Sequence, residues 1–401
     1  KRYTNLPPVG KEILGRDMEN VTKAVEKNIG AVLPDKFGAI LDDWTHGTEH
    51  YMAVYACFEL NGVRHCPLLS LAPIINGPDD SLNAESHVAA LAAFLPFFGK
   101  GLSNVNFLVG DNCAMNKRLA RLMEVPLIGC ASHRLNLAVR GFLESYEADL
   151  EQVQSLMRRL RTITQAAKLR LRTSLRPKLR NETRWGSTYT MLARYFELRE
   201  FITADDEELA EEMPSPAANQ RLKSLLTQLA DVESVSKKLQ TEDLTLLDAR
   251  DLLDGLMEIQ PSFNNYLAPR ADIVHSPDFG SGAVKVLGGQ SKRLPRAERT
   301  ALQPFLKAEK AAEEATGEAE PTKIGFADRI LKRRKVEATP SVYELLAIIP
   351  PTSNIVERLF SVARMVLRYE RNRLTPLSLE MILFLKMNES YWDVTTVDAC
   401  I

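Results

Sequence analysis

The order of apolar patterns between residues 37 and 130 constrains the fold of this chain more than any other feature of its sequence. Three runs with the short apolar pattern of β-strands come first, and Asn61-Gly62, which is typical of a tight hairpin turn, joins the second run to the third. A helix, a short strand, a second helix and a fifth strand are predicted to follow, with Asn83 as the cap of the first helix. The runs are, in order, FGAILDDW, YMAVYACFEL, VRHCPLLSL, NAESHVAALAAFLPFF, VNFLVG, NKRLARLME and VPLIGC. This order predicts an α/β fold of the mixed α+β kind, in which helices cover a mixed sheet.

The rest of the chain divides by the period of its apolar residues. We expect residues 1–34 to be a mostly helical lead-in and residues 35–135 to form the first part of a core. From 136 to 270, apolar residues recur at three- and four-residue spacing, which predicts an all-α region. Residues 271–340 are rich in Gly, Pro and charge without a sustained period, and they predict a flexible charged linker. Helical patterning returns in 341–401, which we assign to the last core helices.

Composition excludes several classes of protein. At 401 residues, 45% of them apolar and 26% charged, the chain is large enough for two or three domains with a buried core. Its longest apolar run, at residues 88–98, contains Pro96 and is far shorter than the roughly 18–20 residues of a membrane span, so we expect no membrane partner. The five cysteines are scattered and odd in number, which argues for a reducing compartment. Because the chain starts without Met, we expect it to be part of a longer protein.

The charges are segregated along the chain, although the net charge is only −1. Residues 168–184, 291–299 and 331–335 are basic, whereas 205–212 and 309–320 are acidic. The basic residues of the first island that we expect to contact DNA phosphates are Lys168, Arg170, Arg172, Arg176, Lys178 and Arg180. The run at 331–335 is typical of a nuclear localisation signal, from which we expect a nuclear protein, but such short runs are often only solvated.

Two carboxylates follow predicted strands directly. Asp111 comes after the strand at 105–110, and either Asp42 or Asp43 ends the first strand-like run. Ligand sites in open sheets gather at the carboxyl ends of strands. Both positions also have an ordinary explanation, since Asp111 suits a helix cap or a turn and one of the earlier pair suits the closing of a turn. If the two strands are neighbours, the carboxylates converge, and paired carboxylates on divalent cations are what phosphoryl transfer requires.

A third carboxylate, Glu357, lies in the predicted helix that begins TSNIVERLFS. The apolar stripe of this helix runs from 355 to 367, and Thr352 or Ser353 is its expected cap. Glu357 falls on the flank of the stripe. Taken alone, a glutamate there is a solvated residue that suits the helix dipole.

Two further motifs have competing explanations. Cys130 and His133 have the spacing of half a zinc site, but no second ligand pair with suitable spacing is present in the sequence. Trp185 follows Arg184 at the end of the basic island, where it is placed to stack on an unpaired base, but taken alone it is better explained as a core tryptophan.

Taken in order, these segments resemble the hAT (hobo/Activator type) transposase superfamily over residues 35–190 and 341–392. The matching segments are LDDWT, which selects Asp42 over Asp43, then GDNCAMNK, GCASHRLNLAV, NETRWGST and IIPPTSNIVERLFSVARMVLRYERNRLTPLSLEMILFLKMNESYW. The resemblance implies a ribonuclease H-like fold that a large all-α insertion interrupts before its last helix. It also implies a C-terminal segment through which the family forms intertwined dimers or larger homo-oligomers.

The resemblance further implies a site and an activity. Asp42, Asp111 and Glu357 match the family's metal-binding and catalytic triad, which holds two Mg²⁺ or Mn²⁺ ions. The implied reaction is DNA recombination by cut-and-paste transposition: cleavage at transposon ends, hairpin formation on flanking double-stranded DNA, and integration into target DNA. Arg184 and Trp185 match residues that hold a distorted nucleotide, and Cys130 and His133 match residues that line the site near the DNA.

The family usually carries a BED-type zinc finger before the catalytic region, and this sequence contains none. The alternative to an active transposase is therefore a domesticated, non-catalytic module that binds DNA or a protein partner through the same fold.

Overall fold

The computed structural model describes residues 10–75, 81–181, 185–202, 207–307, 342–367 and 374–401. The strands are β1 (Phe37–His46), β2 (Glu49–Leu60), β3 (Val63–His65), β4 (Leu68–Pro73), β5 (Val105–Gly110) and β6 (Leu127–Gly129). The helices of the first half are α1 (Lys11–Val32), α2 (Ala84–Phe94), α3 (Ala114–Leu122), α4 (Ala131–Leu143), α5 (Glu147–Arg159), α6 (Ile163–Arg170) and α7 (Gly186–Leu198). Those of the second half are α8 (Glu207–Ala210), α9 (Pro216–Lys238), α10 (Leu246–Ile259), α11 (Asn264–Leu267), α12 (Pro277–Leu287), α13 (Arg296–Leu302), α14 (Asn354–Val366), α15 (Pro376–Met387) and α16 (Val394–Asp398). Over these described ranges, no helix combines the length and the apolar character needed to cross a membrane.

The strands form one mixed sheet with β1 inside it. The order is β3-β2-β1-β5-β6, and β4 also pairs with β2. β1 is antiparallel to β2 and parallel to β5, and β5 is parallel to β6. Asn61 and Gly62 both have positive φ, as the two-residue hairpin between β2 and β3 requires. The prediction of a mixed sheet with covering helices is therefore confirmed.

Two predicted details of this region have physical explanations. The third strand-like run divides into β3 and β4 around Cys66 and Pro67, and Pro67 has no N–H to donate to a strand ladder. The cap of α2 is as predicted, because the side chain of Asn83 accepts a hydrogen bond from the backbone N–H of Ser86.

Two hydrophobic clusters hold the molecule together. The sheet core contains buried residues of the strands together with those of α1, α2, α3, α12, α13, α14 and α15. The helical core contains buried residues of α4 to α11, which agrees with the helical periodicity predicted for residues 136–270. α4 begins two residues after β6, and so connects the sheet to the helical core.

The prediction of a structureless linker is wrong for residues 271–307. This segment contains α12 and α13, and Phe279, Ala283 and Val286 of α12 are buried in the sheet core. Prolines and glycines hid this helical pattern, but Pro277 lies in the first turn, where proline suits a helix. Gly282 lets α13 pack closely, since a Cβ there would lie 3.0 Å from Leu302. The remainder of the predicted linker lies outside the described residues.

The two chain ends on either side of residues 308–341 lie next to each other. Leu306 and Tyr343 form an antiparallel bridge. The N–H of Lys307 donates to the Val342 carbonyl at 3.0 Å, and the N–H of Glu344 donates to the Phe305 carbonyl at 2.8 Å. The segment between them therefore begins and ends at the same point of the sheet core.

Candidate active site

The carboxyl ends of β1 and β5 bring two of the predicted carboxylates level with each other. The two strands are parallel neighbours, and Ile40 is in register with Val109. Two residues further along each strand direction, Asp42 and Asp111 fall at the same level and on the same face of the sheet. The condition that sequence analysis left open, that these strands be adjacent, is thus met.

Helix α14 brings the third carboxylate to the same edge. Glu357 lies in its first turn, and α14 packs on β1 through Phe360, whose ring centroid is 5.6 Å from that of Trp44. Asp111 and Glu357 line a cleft of about 550 Å³, which His133, Trp185 and other residues also line.

The electrostatics show that the three carboxylates act on one another. The pKa of Asp42 is raised to about 7, chiefly by burial and also by the negative charges of Asp111, Asp43 and Glu357, while the N–H of Asp43 opposes the shift. That N–H donates to Oδ1 of Asp42 at 2.9 Å. The edge of the sheet therefore carries more negative charge than its surroundings balance, a condition that a bound cation would relieve.

Asp43, the rival of Asp42, points the other way. Successive residues of a strand face opposite sides of the sheet, and Asp43 contacts α2 through Nε2 of His87 at 3.0 Å. Nδ1 of His87 faces the carbonyl of Asn83 at 2.7 Å, so both ring nitrogens face acceptors. Burial lowers the pKa of His87, but Asp43 and this carbonyl outweigh it and raise the pKa overall. The sequence did not indicate His87, because this residue belongs to α2 and contacts Asp43 on the sheet face opposite to Asp42.

Cys130 and His133 have different roles in the structure. Nδ1 of His133 lies 2.9 Å from Oδ2 of Asp111, and this hydrogen bond raises the pKa of His133 against the effect of burial. Cys130 is fully buried, and burial raises the pKa of its thiol to about 12. Its Sγ accepts the N–H of Ser353 at 3.4 Å. His133 therefore belongs to the cleft, whereas Cys130 joins the start of α4 to the start of α14.

The beginning of α14 is fixed by contacts that the sequence did not indicate. The N–H of Ala131 donates to the Pro351 carbonyl at 2.9 Å. Nδ2 of Asn354 donates to Oγ of Ser132 at 3.0 Å and to the Leu239 carbonyl at 3.1 Å. Ser353 occupies the cap position, as one of the two predicted residues, although its side chain makes no capping hydrogen bond. These contacts join sheet core and helical core directly beside Glu357.

The donor chemistry of this edge fits a hard divalent cation, which binds carboxylate oxygens. The fit rests on the burial of Asp42 and on its repulsion by Asp111 and Glu357, which together raise its pKa. Among the residues that the structure describes, no three His, Cys, Asp or Glu side chains form a group arranged to hold a metal ion. The two-ion site therefore stays a prediction.

Trp185 lies between two clefts. Only 6% of it is exposed, and it packs in the helical core. It lines the carboxylate cleft and a second cleft of about 710 Å³, whose wall also includes Arg140, Arg158 and Arg180. Its backbone N–H donates to Oδ1 of Asn136 at 3.2 Å. Arg184, the predicted companion of Trp185, lies outside the described residues.

The basic island does not present all its charges alike. Lys168, Arg170, Arg172, Arg176 and Lys178 have exposed surface on α6 or on the irregular chain after it. Arg180 is only 15% exposed in its side chain and forms ion pairs with Glu147 and Glu151. Gln154 also holds the backbone of Arg180, donating to its carbonyl and accepting from its N–H. To contact DNA, Arg180 would therefore have to give up its ion pairs with Glu147 and Glu151.

Comparison with models of known protein families and with curated proteins finds no match to this chain. The resemblance to hAT transposases accordingly rests on the motifs quoted above, and the function derived from it is a proposal.

Proposed function

We propose that this chain is the catalytic part of a hAT-type DNA transposase. The observation that supports it most is the meeting of Asp42, Asp111 and Glu357 in one electrostatic group at the carboxyl ends of β1 and β5. These residues are far apart in sequence, and the family's motifs select each of them independently of the fold.

The architecture also supports the proposal. A sheet in which β1 is antiparallel to β2 and parallel to β5 suits the ribonuclease H-like fold that the resemblance implies. The helices α4 to α11 lie in the chain between Asp111 and Glu357, as the proposed all-α insertion would. α14 then returns to pack on β1.

In the proposed mechanism, Asp42, Asp111 and Glu357 hold two Mg²⁺ or Mn²⁺ ions. When bound, these ions would activate a water or a DNA 3′-hydroxyl and stabilise the leaving oxygen of an in-line displacement. His133 orients the Asp111 carboxylate through its Nδ1–H, and the N–H of Asp43 orients Asp42. Trp185, at the wall of the same cleft, offers an aromatic edge to a base that hairpin formation unstacks.

The proposed partners are double-stranded DNA and a second copy of the chain. Exposed basic residues around α6 suit phosphate contacts, whose affinity falls with rising salt. Met365 of α14 and Leu377 of α15 are 54% and 61% exposed, and apolar surface of this kind suits a dimer contact in the C-terminal segment. The basic run proposed as a nuclear localisation signal lies outside the described residues.

Nicking of supercoiled plasmid DNA with Mn²⁺ tests the activity without knowledge of the transposon ends. We expect the chain to nick, Asp111→Asn to reduce nicking at least about a hundredfold, and Asp398→Asn, an exposed control, to leave it unchanged. Nicking that survives Asp111→Asn would sink the proposed site. Absence of nicking by the parent chain, together with salt-dependent DNA binding, would favour the non-catalytic module.

A further inference from the structure

Two cysteines lie directly opposite each other on neighbouring strands. β2 pairs with β4 so that Tyr55 faces Leu68, and β2 pairs with β3 so that Phe58 faces His65. The same register runs through the residues between these pairs. Cys57 therefore faces Cys66 across the sheet, with both side chains on the same side.

The hydrogen-bond pattern gives this pair the closer of the two possible spacings. The N–H of Ala56 donates to the carbonyl of Pro67 at 3.0 Å, so Ala56 and Pro67 form a hydrogen-bonded pair. Hydrogen-bonded and non-hydrogen-bonded pairs alternate in an antiparallel ladder, and Cα atoms of the latter lie about 4.5 Å apart. That separation is within the range of about 4.4–6.8 Å that disulfides span.

The two thiols differ in environment in the way that a nucleophile and its resolving partner do. Cys57 is buried, and its Sγ donates to the Ile348 carbonyl at 3.4 Å. Cys66 is half-buried and lines a cleft of about 260 Å³ beside Arg64 and Arg358. A hydrogen bond from Cys57 lowers the pKa of Cys66, and Arg64 lowers it as well, while burial opposes them. Cys66 is thus the thiol that a reagent in the cleft meets first and that ionises more readily.

We propose that Cys57 and Cys66 form a reversible disulfide when the chain meets a low-molecular-mass disulfide such as oxidised glutathione. The Cys66 thiolate attacks one sulfur of the reagent, which releases one small thiolate and leaves a mixed disulfide on Cys66. Cys57 then loses its proton to water and attacks Cys66 Sγ, which releases the second small thiol. The chain loses two protons and two electrons, and one reagent disulfide becomes two thiols. Such a pair is the kind of transient, redox-sensing disulfide found in reducing compartments, and it does not depend on the function proposed above.

Peptide mapping of the oxidised chain tests this directly. Trypsin cleaves after Lys36, Arg64 and Lys100, so the disulfide would join the peptide 37–64 to the peptide 65–100, each with a single cysteine. After treatment with oxidised glutathione, blocking of remaining thiols and digestion without reductant, we expect this linked pair as the main disulfide product. Dithiothreitol should abolish it, and Cys113→Ser, at an exposed cysteine, should leave it unchanged.

The opposite results would overturn the inference. These are glutathione retained on Cys66 with no link to Cys57, or a linked product in which Cys113, Cys130 or Cys400 replaces either partner. Cys66→Ser should remove the linked product and leave Cys57 without glutathione, because Cys57 is reached only through Cys66. Since the mapping of the parent chain needs no substitution, a variant that fails to fold does not affect the test.

Discussion

At the scale of single residues, two glycines occupy places where a neighbour already fills the space of a side chain. A Cβ on Gly38 of β1 would lie 2.0 Å from the Phe107 ring, and one on Gly129 of β6 would lie 1.7 Å from Oδ1 of Asn112. Neither glycine has positive φ, so the requirement is close approach and not backbone conformation. Nδ2 of Asn112 donates to the Ile273 carbonyl at 2.8 Å, so close packing at Gly129 also helps fix the residue next to Asp111.

Gly38→Ala should therefore destabilise the chain. The Phe107 ring is fully buried and would have to move to make room for the added methyl group. We therefore expect the free energy of unfolding to fall by at least about 1–3 kcal/mol. Gly101→Ala is the matched control, because nothing lies within 4 Å of its Cβ. Its effect should stay within about 0.5 kcal/mol. Urea unfolding followed by circular dichroism measures both, and equal effects would contradict the packing argument.

Glu26 should make stability depend on pH. Its pKa is raised to about 7, chiefly by burial and also by the negative charge of the nearby Glu380. The folded state therefore binds the proton more tightly than the unfolded state, and the stability this contributes is present below about pH 4.5 and lost as the pH rises through about 7. Glu26→Gln should be more stable than the parent at about pH 8, by on the order of 1 kcal/mol after allowance for solvent screening.

The difference between Glu26→Gln and the parent should vanish well below pH 4.5, where Glu26 is protonated in both the folded and the unfolded state. Glu12→Gln, at an exposed glutamate of the same helix, controls for the removal of a charge from α1. A pH-independent gain from Glu26→Gln would disprove the role of ionisation.

The sequence could predict the site residues only as far as their local pattern reached. Asp111 was located by the strand before it, but Asp42 and Asp43 both end one strand, and the residues alone did not decide between them. The period of a strand decides, since it places Asp42 on the sheet face shared with Asp111 and directs Asp43 to His87. The sequence could not predict His87 as the partner of Asp43, because this contact depends on how α2 packs on the sheet.

At the scale of elements, the outer edge of β4 is closed by a side chain instead of a strand. Asn388, just after α15, is fully buried and binds both backbone groups of Leu68. Its Oδ1 accepts the Leu68 N–H at 3.0 Å, and its Nδ2 donates to the Leu68 carbonyl at 2.9 Å. The amide thus pairs with Leu68 as a strand residue would, and attaches the C-terminal helices to the sheet.

Asn388→Ala should weaken this attachment. Each buried backbone group left without a partner costs about 1–3 kcal/mol, so we expect a loss of roughly 2–4 kcal/mol in the free energy of unfolding. Asn28→Ala is the control, because its single bond, to the Tyr391 carbonyl at 3.0 Å, is exposed. It should cost less than about 1 kcal/mol. If both variants lost a similar free energy of unfolding, burial would not strengthen the contribution of the Asn388 hydrogen bonds.

The elements predicted correctly are those with a local signal. β5 follows an uninterrupted apolar run, and the β2–β3 turn follows Asn-Gly chemistry. α12 was missed because its glycines and proline resemble a loop in sequence, whereas its packing against α13 gives Gly282 a structural role. Tertiary packing of this kind leaves no local signal.

At the scale of the whole molecule, the bridge between Leu306 and Tyr343 brings together the two chain ends that flank residues 308–341. A short Gly-Ser loop can join these ends and keeps every residue of the two hydrophobic clusters described above, so we expect its replacement of 308–341 to preserve the fold. Shortening a closed loop changes its entropy by only about 0.6 kcal/mol for each halving of length. We expect thermal unfolding to remain cooperative, with a melting temperature at or slightly above that of the parent chain.

A longer deletion, of residues 277–341, is the contrasting variant. It removes α12 and α13, and with them Phe279, Leu302 and Phe305 of the sheet core. Loss of buried aromatic and aliphatic groups on this scale should abolish cooperative unfolding in calorimetry. If the shorter replacement unfolded the chain as well, the two described clusters and the bridge would not be sufficient for folding.

The return of α14 to β1 has a consequence for the time course of synthesis. The hairpin of β2 and β3 and its pairing with β1 join residues close in sequence, so this part of the sheet is available for folding early on the ribosome. Glu357 leaves the ribosome only after all of α4 to α13. The cleft is therefore completed late, and a nascent chain arrested before residue 354 would carry the first two carboxylates without the third.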